Sequence, residues 1–363
     1  KAVLLIDATT SWNAYLTDEL RVLSGKYSRA LSGTPQAMDK KKAAFYLAQG
    51  PYNQALGLWY AGEKFSPEAK ADVEAKVATM IDVYKSRLQT ADWLAPETRE
   101  KAITKLNVIT PHIGYPEKLP ETYDKKIIDE NLSLVENAQK LVEISIAHSW
   151  SKWNKPVDRS EWHMPAHMVN AYYDPQQNQI VFPAAILQAP FYDLHQSSSA
   201  NYGGIGAVIA HEISHAFDTN GASFDENGSL KNWWTEEDYA AFKERTDKIV
   251  DQFEGLDSYG AKVNGKLTVS ENVADLGGVA CALEAAKRDK DFSVREFFVN
   301  FATIWRMKAR EEYMQMLASV DVHAPAKWRT NVIVSNFDEF HKEFDVKEGD
   351  GMWRAPEERV IIW

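Results

Sequence analysis

The chain has 363 residues and only one cysteine, Cys281, so it cannot form an internal disulfide. This fits a reducing compartment, although many exported bacterial proteins also lack disulfides. No apolar run approaches the roughly 20 residues that a membrane-spanning helix needs. The apolar segment 2–6 is too short for a signal-peptide core, and we interpret it as a strand or the start of a helix. We therefore expect a cytoplasmic protein with no membrane span, and an exported or cell-surface location is the alternative.

Positive charge is also scarce. The chain carries 41 Lys and Arg residues against 52 Asp and Glu residues, and its formal net charge is −11. A nucleic-acid-binding protein would need a basic face, so this class is excluded. A hydrophobic content of 45% with 12% aromatic residues excludes a disordered chain. The length alone suggests about two domains.

The two parts of the chain differ in their patterns. Residues 1–150 have mainly helical periodicity, with a clear helix start at Ser66-Pro67-Glu68, and they contain no catalytic constellation. Segment 109–119 is interrupted by Pro111 and Gly114, and we expect a loop there. After residue 150 strand signals appear. We therefore divide the chain into a helical region, 1–150, and a second domain, 151–363.

Two short strands, 169–173 and 179–182, are separated by the turn-forming segment 174–178. They predict a β-hairpin, and two interpretations of it remain open. It is either an ordinary hairpin or an edge strand whose backbone, with the help of the Asn170 amide, pairs with an extended peptide.

The strongest motif is His211-Glu212-x-x-His215. Residues four apart lie on the same face of a helix, so both imidazoles can reach one metal ion with Glu212 beside them. The plain alternative is an amphipathic helix that carries two histidines by chance. The helix also carries an apolar stripe, which predicts that it is buried. The stripe consists of Ile205, Val208, Ile209 and Ile213.

A catalytic zinc site needs a third protein ligand. The H-x-x-G-x-x-H continuation of a metzincin is excluded, because Asp218 and Gly221 occupy its last glycine and histidine positions. A carboxylate is the natural candidate, and Glu271 lies at a predicted helix start with Asp275 one turn further on. Asp275 can then accept the second N–H of a ligating histidine. We expect Ser270 to be the N-cap of this helix.

This arrangement predicts hydrolysis of a peptide bond. Zinc lowers the pKa of a bound water to about 7, and Glu212 takes the proton and delivers it to the leaving amine. The negative charge that grows on the carbonyl oxygen needs a stabilising partner. His323 is the best candidate, and Asp321 is close enough in sequence to orient it or keep it protonated.

Four linked motifs resemble the neprilysin family, above all its bacterial oligopeptidase O branch, over essentially the whole chain. They are His211-Glu-Ile-Ser-His215-Ala-Phe-Asp218, Ser270-Glu271-Asn-Val-Ala-Asp275, Val169-Asn-Ala-Tyr-Tyr173 and Asp321-Val-His-Ala-Pro-Ala-Lys-Trp-Arg329. The resemblance implies an α+β, predominantly helical fold: a thermolysin-like zincin (gluzincin) catalytic domain, 151–363. Region 1–150 would be partly a helical lid and partly support for that domain.

The resemblance also implies the site residues. One zinc ion per chain would bind His211, His215 and Glu271, with Glu212 as the general base and Asp275 behind the ligands. His323 would stabilise the transition state. The peptide would be anchored by Asn170 and Ala171, and Arg329 would bind its carbonyl or terminal carboxylate. The pocket for a bulky apolar residue after the scissile bond would be lined by Ile186, Phe191, Val208, Ile304 and Trp305.

The predicted substrates are oligopeptides, and the predicted activity is that of a zinc endopeptidase. Family members are generally longer, so a separate N-terminal fragment is a candidate partner that would complete the lid. Ser270 replaces the glycine that usually precedes the ligand glutamate. Two other classes are weighed against this function: a peptide-binding protein with an inactive or structural metal site, and a metallohydrolase that does not cut peptides. The intact Glu212 argues against the former and the Asn170 strand against the latter.

Overall fold

The structure is a computed structural model that describes residue 3, residue 6 and residues 10–363. In the first half of the described chain the α-helices are Asn13–Leu16, Asp18–Ser24, Lys26–Leu31, Lys40–Gln49, Asn53–Lys64, Pro67–Thr90, Pro96–Asn107 and Leu134–Ser151. In the second half they are Ser198–Asn201, Ala207–Ser214, Glu236–Phe253, Gly265–Ala286, Val294–Ile304, Glu311–Val320, Ala326–Val334 and Asp338–Glu343. The strands are β1 (Thr110–Gly114), β2 (Tyr172–Asp174), β3 (Gln179–Pro183), β4 (Asp257–Ser258) and β5 (Ala261–Lys262).

Local sequence explains where several of these helices begin. Ser66 accepts a hydrogen bond from the backbone of Ala69 and is followed by proline, as the sequence predicts. Ser133 and Glu136 form a reciprocal capping box at the start of Leu134–Ser151. The predominantly helical α+β class is confirmed. Among the described residues, no helix is both long and apolar enough to cross a membrane.

A three-stranded sheet has the order β1-β3-β2. β2 and β3 form the predicted antiparallel hairpin, in which Tyr172 faces Val181. β1 runs parallel to β3, and Thr110 pairs with Gln179. The expectation of a loop at 109–119 is therefore wrong for its first half. Pro111 is compatible with a strand here because β1 lies at the edge of the sheet, where a missing N–H can be tolerated.

Both parts of the chain contribute to one hydrophobic core. Helix Pro67–Thr90 packs against Ala207–Ser214 and against Gly265–Ala286, and β1 joins the sheet of the second part. The division at residue 150 stays a prediction. Within segment 2–6, Val3 and Ile6 have helical backbone, and its other residues lie outside the described part.

Candidate active site

The His-Glu-x-x-His motif begins in the buried helix Ala207–Ser214, which we call the motif helix, and its last residue, His215, is the C-cap of that helix. A π-helical turn, Tyr202–Gly206, leads directly into it, a feature that is frequent at functional sites. The predicted apolar stripe is buried, since Ile205, Ile209 and Ile213 are fully inaccessible and Val208 is 6% exposed. The motif helix is thus fixed in the core, and its two histidines are held on a rigid element.

The second helix of the site is Gly265–Ala286, which we call the Glu271 helix. It approaches the motif helix closely at Gly278, where an added Cβ would lie 2.8 Å from the backbone nitrogen of His211. Only glycine permits this approach, because a contact under 3.0 Å to backbone would force the helices apart. The close packing brings Glu271 to the histidines.

Three side chains converge on one point. The Nε2 atoms of His211 and His215 are 3.0 Å apart, and Glu271 Oε2 lies 3.3 Å from the first and 3.5 Å from the second. Ligand atoms about 2.0–2.1 Å from a tetrahedral zinc ion are separated by about 3.3 Å, so the spacing fits zinc. Among the described residues, this is the group of His, Cys, Asp and Glu side chains that can hold a metal ion.

The other nitrogen of each histidine faces a carboxylate. His211 Nδ1 is 2.8 Å from Asp275 Oδ1, and His215 Nδ1 is 2.6 Å from Asp218 Oδ2. These carboxylates favour the tautomer with hydrogen on Nδ1, which leaves the Nε2 lone pairs directed at each other and at Glu271. Three acceptors that converge in this way need a cation between them, so the donor set fits the metal chemically as well.

Asp275 has a second partner that the sequence analysis did not anticipate. Arg329 donates to it from Nε at 2.7 Å and from Nη2 at 2.6 Å. The guanidinium carbon also lies 3.8 Å from the ring centroid of Trp305. Burial raises the pKa of Asp275, but Arg329 and His211 outweigh it and lower the pKa to about 2. Asp275 is therefore a buried carboxylate that stays ionised between two partners.

Glu212 is buried at the wall of the same cleft. Burial is the main cause that raises its pKa, and the charges of His211 and His215 oppose it. A carboxylate with a raised pKa is a better general base near neutral pH than an exposed one.

His323 is half-exposed at the mouth of the site. Its Nδ1 lies 2.9 Å from Asp321 Oδ1, and its Nε2 lies 3.2 Å from Glu271 Oε2. Burial lowers the pKa of His323, but the Glu271 and Asp321 carboxylates outweigh it and the net shift is upward. Asp321 thus orients the imidazole toward the site, as the sequence predicts.

The cleft has a volume of about 470 Å³. Of the five residues predicted for its apolar pocket, four line it: Ile186, Phe191, Val208 and Trp305. Ile304 is buried at 8% exposure and is not among the lining residues. Phe301, three residues before Ile304 on the same helix, is among the lining residues. The role predicted for Ile304 stays a prediction.

The predicted peptide anchors also line the cleft. Asn170 and Ala171 line the cleft just before the edge strand β2. The Asn170 side-chain oxygen accepts a hydrogen bond from the Ala171 backbone at 3.0 Å, so the side-chain amide nitrogen remains the donor that can meet a ligand. Arg329 lines the same cleft as these two residues.

The arrangement of this site agrees with comparisons to known proteins. Family models described as peptidase family M13 match residues 1–116 and 170–360. The chain belongs to peptidase family M13, which confirms the neprilysin-type resemblance.

Individual relatives are also similar. A Streptococcus gordonii protein, described provisionally as a zinc metalloproteinase, is 78% identical over 82% of this chain and 52% of its own length. A neutral endopeptidase of Lactococcus lactis is 52% identical over 100% of this chain and 58% of its own length. The crystal structure of PepO from Lactobacillus rhamnosis superposes with a TM-score of 0.93 and 42% identity, over 98% of this chain and 56% of that one. The chain thus spans just over half the length of these relatives.

One helix start differs from the expectation. The Glu271 helix begins at Gly265 with Asn264 as its N-cap, so Ser270 lies within the helix and is not the cap. Its hydroxyl instead donates to Asp218 Oδ2 at 2.6 Å and accepts from Asn220 at 3.0 Å. Ser270 therefore belongs to the hydrogen-bonded surroundings of His215.

Asp218 is a site residue that sequence reasoning missed. The sequence signal for it was its position three residues after His215. Where a helix ends, the side chain of such a residue can turn back and contact the histidine. The motif helix ends at Ser214, which permits this contact.

Proposed function

We propose that the chain acts as a zinc-dependent endopeptidase on oligopeptides, with one zinc ion held by His211, His215 and Glu271. The observation that carries this is the convergence of three ligand atoms at 3.0–3.5 Å with a carboxylate behind each histidine. The names of the relatives, a neutral endopeptidase and a zinc metalloproteinase, support the same activity. Glu212 in the cleft separates this site from a purely structural one, which needs no base.

The residues of the chain then have distinct roles. A zinc ion, when bound, supplies a Lewis acid that lets a water molecule lose a proton near neutral pH. Glu212 accepts that proton and transfers it to the nitrogen of the leaving amine. His323, oriented by Asp321, donates a hydrogen bond to the oxygen on which negative charge develops. Asp275 and Asp218 hold the two histidines in position.

Substrate binding uses both walls of the cleft. The Asn170 amide and the Ala171 carbonyl pair with the backbone of an extended peptide beside the edge strand β2. Arg329 donates Nε and Nη2 to Asp275, so Nη1 is the nitrogen that can reach a substrate carbonyl. The apolar wall of Val208, Phe301 and neighbouring side chains favours a bulky hydrophobic residue after the scissile bond.

We also propose that an N-terminal segment of the family limits the size of the substrate when it covers this cleft. Relatives are longer than this chain, and helix Leu134–Ser151 presents an uncovered apolar stripe that includes Ile146 at 51% and Trp150 at 68% exposure. Native and denaturing mass measurements test whether a separate fragment stays bound to the chain.

The central test is Glu212→Gln with Glu244→Gln as the control. Glu244 is an exposed acid on another helix, paired with Lys248 on the surface. Both variants and the wild type are measured for bound zinc and for cleavage of peptides with Phe or Ala after the scissile bond. We expect one zinc per chain in all three, and a loss of about 10²–10⁴-fold in kcat for Glu212→Gln alone.

Other outcomes contradict the proposal in separate ways. Full activity of Glu212→Gln would refute the role of this residue as the base. A wild-type chain that holds zinc and binds peptides without cutting them would instead be a peptide-binding protein. Equal cleavage of the Phe and Ala peptides would refute the proposed hydrophobic preference.

A further inference from the structure

Lys105 is a buried cation outside the residues discussed so far. It lies on helix Pro96–Asn107 and is 1% exposed. Buried lysines are rare unless a partner compensates the charge. Here its ammonium group donates hydrogen bonds to three backbone carbonyls, at 2.8 Å to Ala216, 2.8 Å to Gly221 and 2.7 Å to Phe224. An ammonium has three protons, so its donor capacity is used completely.

All three carbonyls belong to one loop, residues 215–224, which we call the Asp218 loop. The loop begins directly after the motif helix, and it turns so tightly that a Cβ on Gly221 would lie 1.7 Å from the His215 carbonyl oxygen. Aromatic rings also surround the ammonium, with the centroids of Tyr173 and Trp233 both 5.8 Å away. Lys105 therefore gathers carbonyl oxygens from both ends of this loop around one charge.

The Asp218 loop in turn positions Asp218, the carboxylate that contacts the proposed ligand His215. Asp218 Oδ1 accepts backbone hydrogen bonds from Asn220 at 2.8 Å and Gly221 at 2.7 Å. These bonds fix the carboxylate, and its Oδ2 atom meets His215 Nδ1. A continuous set of contacts therefore runs from Lys105 through the folded loop and Asp218 to His215.

We propose that Lys105 is a positioning residue for His215: it folds the Asp218 loop so that Asp218 orients this ligand. The inference rests on the proposed zinc site. It gives helix Pro96–Asn107, which lies in the helical region 1–150, an indirect part in metal binding. Removal of the ammonium takes the shared Lys105 donor away from all three carbonyls, although Gly221 and Phe224 keep a second donor each, and lets Asp218 move away from the imidazole.

The chain offers a matched control one turn earlier on the same helix. Lys101 is exposed and donates a single hydrogen bond of 3.5 Å to the carbonyl of Trp233. Lys105→Met keeps the length of the apolar stem and deletes the charge and the donors. Lys101→Met makes the same chemical change at a site that does not contact the Asp218 loop.

The test measures zinc affinity by competition with a chromophoric chelator, together with the visible spectrum of the cobalt-substituted chain. We expect Lys105→Met to weaken zinc binding about 10–100-fold, the range found when residues behind a metal ligand are changed. Its cobalt spectrum should change, and Lys101→Met should match the wild type in both measurements. Asp218→Asn should weaken zinc binding in the same range. Lys105 acts through Asp218. In the double variant, Lys105→Met should therefore weaken zinc binding by less than about threefold beyond the effect of Asp218→Asn alone.

Folding of each apo variant is checked by circular dichroism and urea unfolding. A folded Lys105→Met variant with wild-type zinc affinity would overturn the inference, and so would fully additive effects in the double variant. If Lys105→Met does not fold, Lys105→Gln, which retains donors without charge, replaces it in the same cycle. Failure of both to fold would make Lys105 a core residue only and would also overturn the inference. A wild-type chain that binds no zinc would contradict the proposed function itself.

Discussion

Replacement of Asp275 by asparagine should affect both folding and metal binding. Asp275 is buried between His211 and Arg329, and the change leaves the Arg329 guanidinium without its opposite charge. Removing one partner of a buried ion pair costs about 3–5 kcal/mol, and we expect about 3 because the asparagine oxygen retains one hydrogen bond. Zinc affinity should fall about 10–100-fold, because the tautomer of His211 is no longer fixed by a charge.

These two effects can be separated by urea unfolding with and without zinc. In the apo protein the loss should be about 3 kcal/mol. With zinc in excess, the weaker binding adds about 1.4–2.7 kcal/mol, for a total of about 4–6 kcal/mol. Asp247→Asn is the control, because its pair with Lys243 is exposed and should contribute under about 0.5 kcal/mol. An apo loss below about 1 kcal/mol, or the same loss with and without zinc, would refute the reasoning.

Two further predictions concern packing and pH. Gly278→Ala should destabilise the protein by about 1–3 kcal/mol and weaken zinc binding, because the new methyl group meets the backbone at His211. Gly62→Ala, in a helix with open space around the added Cβ, should stabilise by about 0.5–1 kcal/mol in the same thermal unfolding assay, and a reversed order would contradict the packing argument. The pKa of His163 is raised, first by its hydrogen bond with Asp174. The contribution of this interaction to the free energy of unfolding should therefore be fully present below the pKa of the unfolded histidine, about 6.5. This contribution should be lost as the pH rises through the higher pKa of the folded protein. The difference in urea midpoint between wild type and His163→Gln, measured from pH 5 to pH 9, tests this. A difference that grows with pH would contradict this sign.

The residues of the proposed metal site were predictable because their signals are local. His211, Glu212 and His215 follow helical spacing, and a helix also brings Glu271 and Asp275 to one side. The structure places the residues predicted as ligands and their carboxylate support together. Short-range periodicity groups the side chains within each of the two helices, and the pairing of the helices followed from the need for a third, carboxylate ligand.

Contacts between distant segments were not predictable in the same way. Lys105 is one lysine among many in the sequence. The residues next to it in the chain do not indicate that its ammonium bonds to three carbonyls more than a hundred residues later. The partner of Arg329 is hidden for the same reason. β1 was missed because Pro111 and Gly114 are typical of loops, and only its place at the sheet edge makes a strand possible. Serine is a residue type that favours N-caps, which is why Ser270 was predicted as one. The helix begins earlier, however, with Asn264 as its N-cap.

The mixed sheet has a consequence for the order in which the cleft is assembled. β2 and β3 are joined by a short turn, whereas the parallel pairing of Thr110 with Gln179 closes a loop of roughly 70 residues. Because loop closure costs more entropy as the loop lengthens, the hairpin should form early and the parallel pair late. The edge proposed to bind the peptide would then exist in the nascent fold before β1 joins the sheet. Hydrogen-exchange labelling during refolding should therefore protect the amides of β2 and β3 before those of β1.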